Sequence, residues 1–383
     1  MAGKIFITDV KDHDRVVGNF LVQQKHVPLN KNGKPYVAMV LMDQTGTMDA
    51  RVWDNAEQIA AVFDSGDFVE IHGVAVSYQG RLQLKVDNVK KLSAETVNLE
   101  EFLPVSPRDR GEMLSKLQAL LESISDKSLR ALVVDRLQDD SFREKFASAP
   151  AAKTIHHAYL GGLLEHTLNV VELADRVAAL YGELDRDLLL AGGFLHDIGK
   201  IRELGCERSF EYTDAGRLLG HIVIGAMMLT DWAQAYPELS EDSLMKLTHM
   251  ILSHHGSYEF GSPKRPKFTE AMVLNYLDEL DSKVQTFKEI AQRDQGNRWS
   301  SFQRLFDRYL FLGQPPDSGS PATDKTGPDK KTKKQRPDKP LTHRAFAEQL
   351  DESPDEIDKP KEGEDKKQVK PVNQNLFSKQ ENK

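Results

Sequence analysis

The sequence predicts a multidomain protein: a five-stranded β-barrel at the N-terminus, an all-α domain after it, and a disordered C-terminal tail. Three observations predict this. Residues 1–92 alternate apolar and polar positions between Asn-Gly and Gln-Gly turn signals, which is the period of strands. Residues 110–312 place apolar side chains three and four apart, which is the period of amphipathic helices. Residues 313–383 are rich in Pro, Lys, Asp, Glu, Gln and Ser. They hold too few large apolar side chains to offset the entropy of ordering.

In the first region, RVVGNFLVQQKHV (15–27) and YVAMVLMD (36–43) read as strands on either side of NKNGKP (30–35). MDARVWD (48–54) alternates, and NAEQIAAVF (55–63) reads as a short helix. FVEIHGVAVSYQ (68–79) and RLQLKVDNVKKL (81–92) form the last pair. Five strands with a helix between the third and fourth is the order of an OB-fold, a small barrel that commonly holds single-stranded nucleic acid. Residues 93–109 carry Pro104 and Pro107 as breakers and read as a linker. Helices follow over GEMLSKLQALLESI, KSLRALVVDRLQ, 162–181, 187–200, 217–236, 242–255 and 270–291, with Ser240 as an N-cap. Within the tail, HRAFAEQL (343–350) could form a short helix, and any tail partner is unspecified.

Composition narrows the function. The formal net charge of −8 argues against a nucleic-acid grip made of bulk charge, though local basic surfaces remain open. No apolar run reaches the roughly 18–20 residues of a membrane span. MAGKIFITDVKDHD lacks a signal-peptide core. Cys206 is the only cysteine, which excludes an intrachain disulfide and a cysteine zinc site. A cytoplasmic location is the expectation. Any metal must be held by histidines and carboxylates.

Those residues are concentrated in the helical region. His is scarce, at 12 residues, and most lie between 156 and 255. HDIGK (196–200) offers His196 and Asp197 from one helix end, an imidazole–carboxylate mixture that suits Mn, Fe, Co, Ni or Zn better than Ca. His166 lies on the preceding helix, His221 on the following one, His254 and His255 on the next, and Asp278 and Asp281 on the last. One candidate per helix, projected inward, is a way to build a two-metal site. Asp197 has two oxygens to share and is the natural bridging ligand. Lys200 would bring a cation to a phosphate, and Gly199 allows close backbone approach or ends the helix. His254 and His255 point about 100° apart on a helix, so both bind only if the helix ends there. Asp278 and Asp281 share a face, so either could complete the set.

At these residues the chain resembles the HD-domain metal-dependent phosphohydrolases, in His166, His196-Asp197 and LDELDSK (277–283). That resemblance makes Asp278 the closing carboxylate and gives His221, His254 and His255 to a second metal. A fuller similarity covers about residues 5–312. NGKPYVAMVLMDQTGTMDARVWD, HHAYLGGLLEHT (156–167), HDIGK and SHHGSYEFGSPKRPKFTEAMVLNYLDELDSK (253–283) are similar, in order and wording, to the bacterial YhaM-type 3′→5′ exoribonucleases. It implies hydrolysis of single-stranded RNA, with single-stranded DNA as a second candidate, and two divalent ions per site, Mn2+ favoured over Co2+, Fe2+ or Ni2+. The tail after 313 departs from that pattern.

Substrate contacts follow from chemistry. Lys264 and Arg265 in the basic loop SPKRPK (262–267) could meet phosphates, and His156 or His157 could line the same cleft. In the barrel, Phe20, Tyr36, Trp53 and Tyr78 are candidate base-stacking residues, with Lys25, Lys34, Arg51, Arg81 and Lys85 along the backbone path. Exposed helical faces could support a homo-oligomer. Rival readings are an HD phosphohydrolase acting on nucleotides or cyclic nucleotides, and a non-catalytic RNA-binding scaffold. GSYEFGSP after His255 is not the GYP-type motif of cyclic-dinucleotide enzymes.

Overall fold

The computed structural model describes residues 5–154, 156–205, 209–294 and 296–313. The tail from 314 onward, its HRAFAEQL segment and Cys206 lie outside the described residues.

Five strands close into a barrel: β1 (Arg15–His26), β2 (Val37–Asp43), β3 (Gly46–Val52), β4 (Phe68–Tyr78) and β5 (Arg81–Lys91). The order around it is β1-β2-β3-β5-β4, with β3 and β5 parallel and β1 against β4 antiparallel. The short helix α1 (Ala56–Ala60) separates β3 from β4. This is the OB arrangement that the strand order predicts. Alternation explains it: β2 buries Val37, Met39 and Leu41 and turns the residues between them outward. Phe20 is a correction to the stacking candidates, because it lies in this barrel core. Lys25 is another. Its ammonium donates to the carbonyls of Ala60 and Phe63, the first at 2.8 Å, and pairs with Asp64 at 2.9 Å, so it closes the end of α1 instead of facing a strand.

The helical part comprises α2 (Arg110–Glu122), α3 (Lys127–Gln138), α4 (Asp140–Ser148), α5 (Gly162–Leu180), α6 (Arg186–Leu195), α7 (Lys200–Glu203), α8 (Asp214–Ala233), α9 (Glu241–Ser253) and α10 (Thr269–Arg293). A two-stranded ribbon, β6 (Leu204–Gly205) with β7 (Glu211–Tyr212), joins α7 to α8. Ser240 caps α9, its hydroxyl accepting the Ser243 N–H at 3.0 Å. Asp109, Asp126, Asp139 and Asp185 do the same for α2, α3, α4 and α6. α5 and α6 are the central pair, and nearly every residue of α6 is buried. The α2, α3, α4, α9 and α10 apolar faces close around them in one core.

The segment read as a linker is packed, not free. Phe102 and Leu103 are each 1% exposed, between Leu21 and Phe68 of the barrel and Leu160 and Phe210 of the helical part. The Phe68 and Phe102 rings meet at 4.8 Å. Beyond them the chain pairs with the turn before α5: the Leu160 N–H donates to Pro104 O at 2.8 Å and the Ser106 N–H to Leu160 O at 2.9 Å.

Gly199 sits where α7 meets α8. A Cβ there would come within 2.0 Å of the His221 carbonyl oxygen and 2.8 Å of the Gly225 nitrogen. Of the two readings of this glycine, close approach is the one realised, and backbone atoms cannot swing aside. Gly199→Ala is therefore expected to destabilise the chain by about 1–3 kcal/mol, read as a lower urea midpoint. An unchanged midpoint would contradict the packing of α8 on this turn.

Candidate active site

Five helices deliver the site. His166 lies on the buried face of α5, and α6 ends at Leu195, so that His196 and Asp197 stand in the turn before α7. A kink at Gly220, with φ 70° and ψ 157°, presents His221 from α8. α9 ends at Ser253, which meets the condition for His254 and His255 to face the same cluster. Asp278 and Asp281 come from α10.

His166 Nε2 is 3.1 Å from His196 Nε2, 3.2 Å from Asp278 Oδ1 and 3.5 Å from Asp197 Oδ2. On the far side, Asp197 Oδ1 is 3.5 Å from both His221 Nε2 and His254 Nε2. The His255 ring is 4.3 Å from that of His254 and 5.1 Å from that of His221. Asp197 thus turns one oxygen to each of two groups: His166, His196 and Asp278, and His221, His254 and His255.

Each imidazole is fixed from behind. His196 Nδ1 donates to Gly193 O at 2.8 Å, His254 Nδ1 to Ile251 O at 2.7 Å and His255 Nδ1 to Phe260 O at 2.8 Å. His221 Nδ1 lies 3.0 Å from Glu203 Oε1, which also accepts the His221 backbone N–H. His166 Nδ1 lies 2.7 Å from Asp281 Oδ2. Such contacts set the tautomer that aims Nε2 forward. They also separate the two aspartates: Asp278 faces the cluster, whereas Asp281 stands behind His166. His157, His166 and Asp281 are close enough to suggest an ion of their own, but their 2.7–2.9 Å contacts are hydrogen bonds.

The electrostatics keep the buried carboxylate at the centre ionised. Burial alone would lift the Asp197 carboxyl, but Lys200 and His196 beside it hold it well below the ordinary range. The Lys200 ammonium donates to Asp197 Oδ2 at 2.6 Å, and this contact outweighs burial and raises its own pKa. Burial opposes charging His166, yet hydrogen bonds to Asp278 and Asp281 raise it to about 10. Three of the five buried side-chain polar atoms without a partner among the described residues are Asp197 Oδ1, His221 Nε2 and His254 Nε2. A buried acceptor left so is costly, and here three such atoms face one another. Imidazole nitrogens and carboxylate oxygens are the donors that divalent transition ions take, so this set fits metal binding.

Other predicted residues fall differently. His157 is a correction: it is 0% exposed, with Nε2 at 2.9 Å from Asp281 Oδ2 and Nδ1 at 2.7 Å from the Tyr159 hydroxyl. Both ring nitrogens are taken, so it offers nothing to a substrate. A Cβ on Gly162 would meet the His157 carbonyl oxygen at 2.0 Å, which explains how this turn lies so close on α5. His156 keeps partial exposure, in the left-handed region at φ 34°. Burial, then the Lys200 and His166 charges, push its pKa down to about 3. Lys264 and Arg265 are exposed. In the barrel, Tyr36 and Trp53 stack at 4.6 Å and 19°, with Trp53 44% exposed. Sequence reasoning missed Glu203, Tyr159, Glu165 and Asn169. None belongs to a ligand-like spacing; only the position of Glu165 in a run of otherwise buried residues marks it.

Two family models match the chain: "HD domain" over residues 163–283 and "OB-fold nucleic acid binding domain" over 21–92. The 3′-5′ exoribonuclease YhaM of Bacillus subtilis (strain 168) is 36% identical over 276 residues, covering 71% of this chain and 86% of that protein. The YhaM protein of Shouchella clausii is 34% identical over 301 residues, covering 78% and 93%. Among solved structures, the second OB-fold domain of replication protein A from Methanococcus maripaludis covers 24% of this chain at 20% identity and a TM-score of 0.20, a weak likeness. At 36% identity over 276 residues, covering 71% of this chain and 86% of the Bacillus subtilis protein, the chain belongs to the YhaM family of 3′-5′ exoribonucleases.

Proposed function

We propose that this chain is a metal-dependent 3′→5′ exoribonuclease that hydrolyses single-stranded RNA to nucleoside 5′-monophosphates, and accepts single-stranded DNA as a second substrate. The observation that carries it is the convergence of unpartnered Asp197 Oδ1, His221 Nε2 and His254 Nε2 beside the His166–His196–Asp278 group. The family named for that activity supports the same reading.

In this reading His166, His196, Asp197 and Asp278 hold one divalent ion, and Asp197, His221, His254 and His255 hold a second. Mn2+ suits the mixed nitrogen and oxygen donors, with Co2+, Fe2+ and Ni2+ as alternatives. Bound there, such ions supply Lewis acidity for activating water and balancing charge on phosphoryl oxygens. The chain's own residues do the rest. Asp197 holds both groups in register through its two oxygens. Lys200 keeps a permanent positive charge beside the scissile phosphate. Glu203 and Asp281 stop His221 and His166 from turning away. His156 is the partly exposed residue of its pair and faces the terminal nucleotide, while Lys264 and Arg265 reach neighbouring phosphates. The Tyr36–Trp53 pair gives upstream bases a flat surface, which tolerates any sequence. No helix among the described residues is long and apolar enough to cross a membrane, and with one cysteine a cytoplasmic location belongs to the same reading.

Asp197→Ala is expected to reduce hydrolysis of end-labelled single-stranded RNA to background while RNA binding persists. Lys200→Ala should lower kcat by about 10²–10³-fold. Near-parental turnover by the Asp197 variant with Mn2+ present would place the chemistry elsewhere. Trp53→Ala should weaken single-stranded RNA binding by about 1–3 kcal/mol, measured by fluorescence anisotropy. Unchanged affinity would remove this aromatic pair from the strand's path.

A further inference from the structure

We infer that the segment joining the barrel to the helical domain positions the His166 imidazole. Ser106 and Arg108 act on it through two hydrogen-bonded routes that meet on Asp281. The inference rests on the reading of His166 as a metal ligand, and it adds residues far from the cluster to the machinery that holds it.

The first route starts at Ser106, whose hydroxyl donates to Glu165 Oε2 at 2.7 Å. The Tyr159 hydroxyl donates to the same oxygen at 2.9 Å and lies 2.7 Å from His157 Nδ1. His157 Nε2 is 2.9 Å from Asp281 Oδ2, which is 2.7 Å from His166 Nδ1. The second route starts at Arg108, whose guanidinium donates to Asn169 Oδ1 at 2.8 Å. A guanidinium can only donate, so this contact turns the Asn169 carbonyl toward Arg108 and its NH2 toward Asp281. Asn169 Nδ2 donates to Asp281 Oδ1 at 2.9 Å. Arg108 also lies 3.9 Å from Glu165 Oε1, which links the routes at their origin.

Both oxygens of Asp281 are thereby committed, Oδ2 to two imidazoles and Oδ1 to one amide. Ser106, His157, Glu165, His166 and Asp281 are all buried, so each depends on its neighbour to stay satisfied. A ligand imidazole is held by the carboxylate behind it, and loss of such a partner commonly costs about 10–100-fold in metal affinity. Here that carboxylate is held by the linker. The linker in turn is seated by Phe102 and Leu103 against Leu21 and Phe68 of the barrel. Barrel seating and ligand orientation are therefore mechanically in series.

The test uses the full chain. Mn2+ affinity is measured by EPR of free Mn2+, and the site's geometry by the visible spectrum of the Co2+-loaded protein. The double variant Ser106→Ala/Arg108→Met is expected to bind Mn2+ about tenfold more weakly, the low end of that range, with a changed Co2+ spectrum. Arg110→Met breaks the nearby ion pair with Glu100 without touching either route, and should bind Mn2+ as the parent does. Tyr159→Phe, which removes one hydroxyl from the first route, should move both readouts in the double variant's direction, and serves if that variant misfolds. Parental affinity and spectrum in Ser106→Ala/Arg108→Met overturns the inference, as does an equal loss in Arg110→Met, which would mean general loosening. A parent chain that binds no Mn2+ overturns the metal reading itself.

Discussion

Everything in the helical domain is arranged around one buried carboxylate. Asp197 is 1% exposed, and an ionised group so placed costs several kcal/mol unless its surroundings neutralise it. Lys200 does so on one oxygen, at 2.6 Å, and imidazoles stand around the other. No single helix can supply that environment. α5, α8, α9 and α10 must each bring a side chain to the turn that follows α6, and the apolar core behind them holds the five in register. Gly199 belongs to the same constraint, since only a residue without a Cβ lets α8 approach that turn.

The barrel and the helical domain were legible because each obeys one period. Alternation marked the strands, and a change to helical spacing marked the rest. The histidines were legible because they are scarce and are spread over successive helices. What lay hidden was tertiary. Phe102 and Leu103 sit among breakers and look like linker until the barrel is docked on them. Phe20 and Lys25 suit a nucleic-acid surface by type, but barrel curvature buries the first and α1 captures the second. His157 has the chemistry of a substrate contact, yet Asp281 and Tyr159 occupy both of its nitrogens. Asp278 and Asp281 are equivalent by spacing, and only the side of His166 on which each lies tells them apart.

The division of labour between the domains follows from the same physics. The barrel presents a stacked aromatic pair at its surface. The helical domain buries a rigid polar cluster, where geometry decides the chemistry. Between them runs a segment that is packed on one side and hydrogen-bonded into the network behind His166 on the other.

The central claim is that Asp197 is shared between two metal positions. Mn2+ content per chain after equilibrium dialysis, measured for the parent, for His221→Ala/His254→Ala and for Asp197→Ala, tests it most directly. The account predicts about two ions per parent chain, one fewer in the histidine variant, and loss of both in the aspartate variant. A single ion in the parent chain, or an Asp197→Ala protein that keeps the parental content, would contradict it.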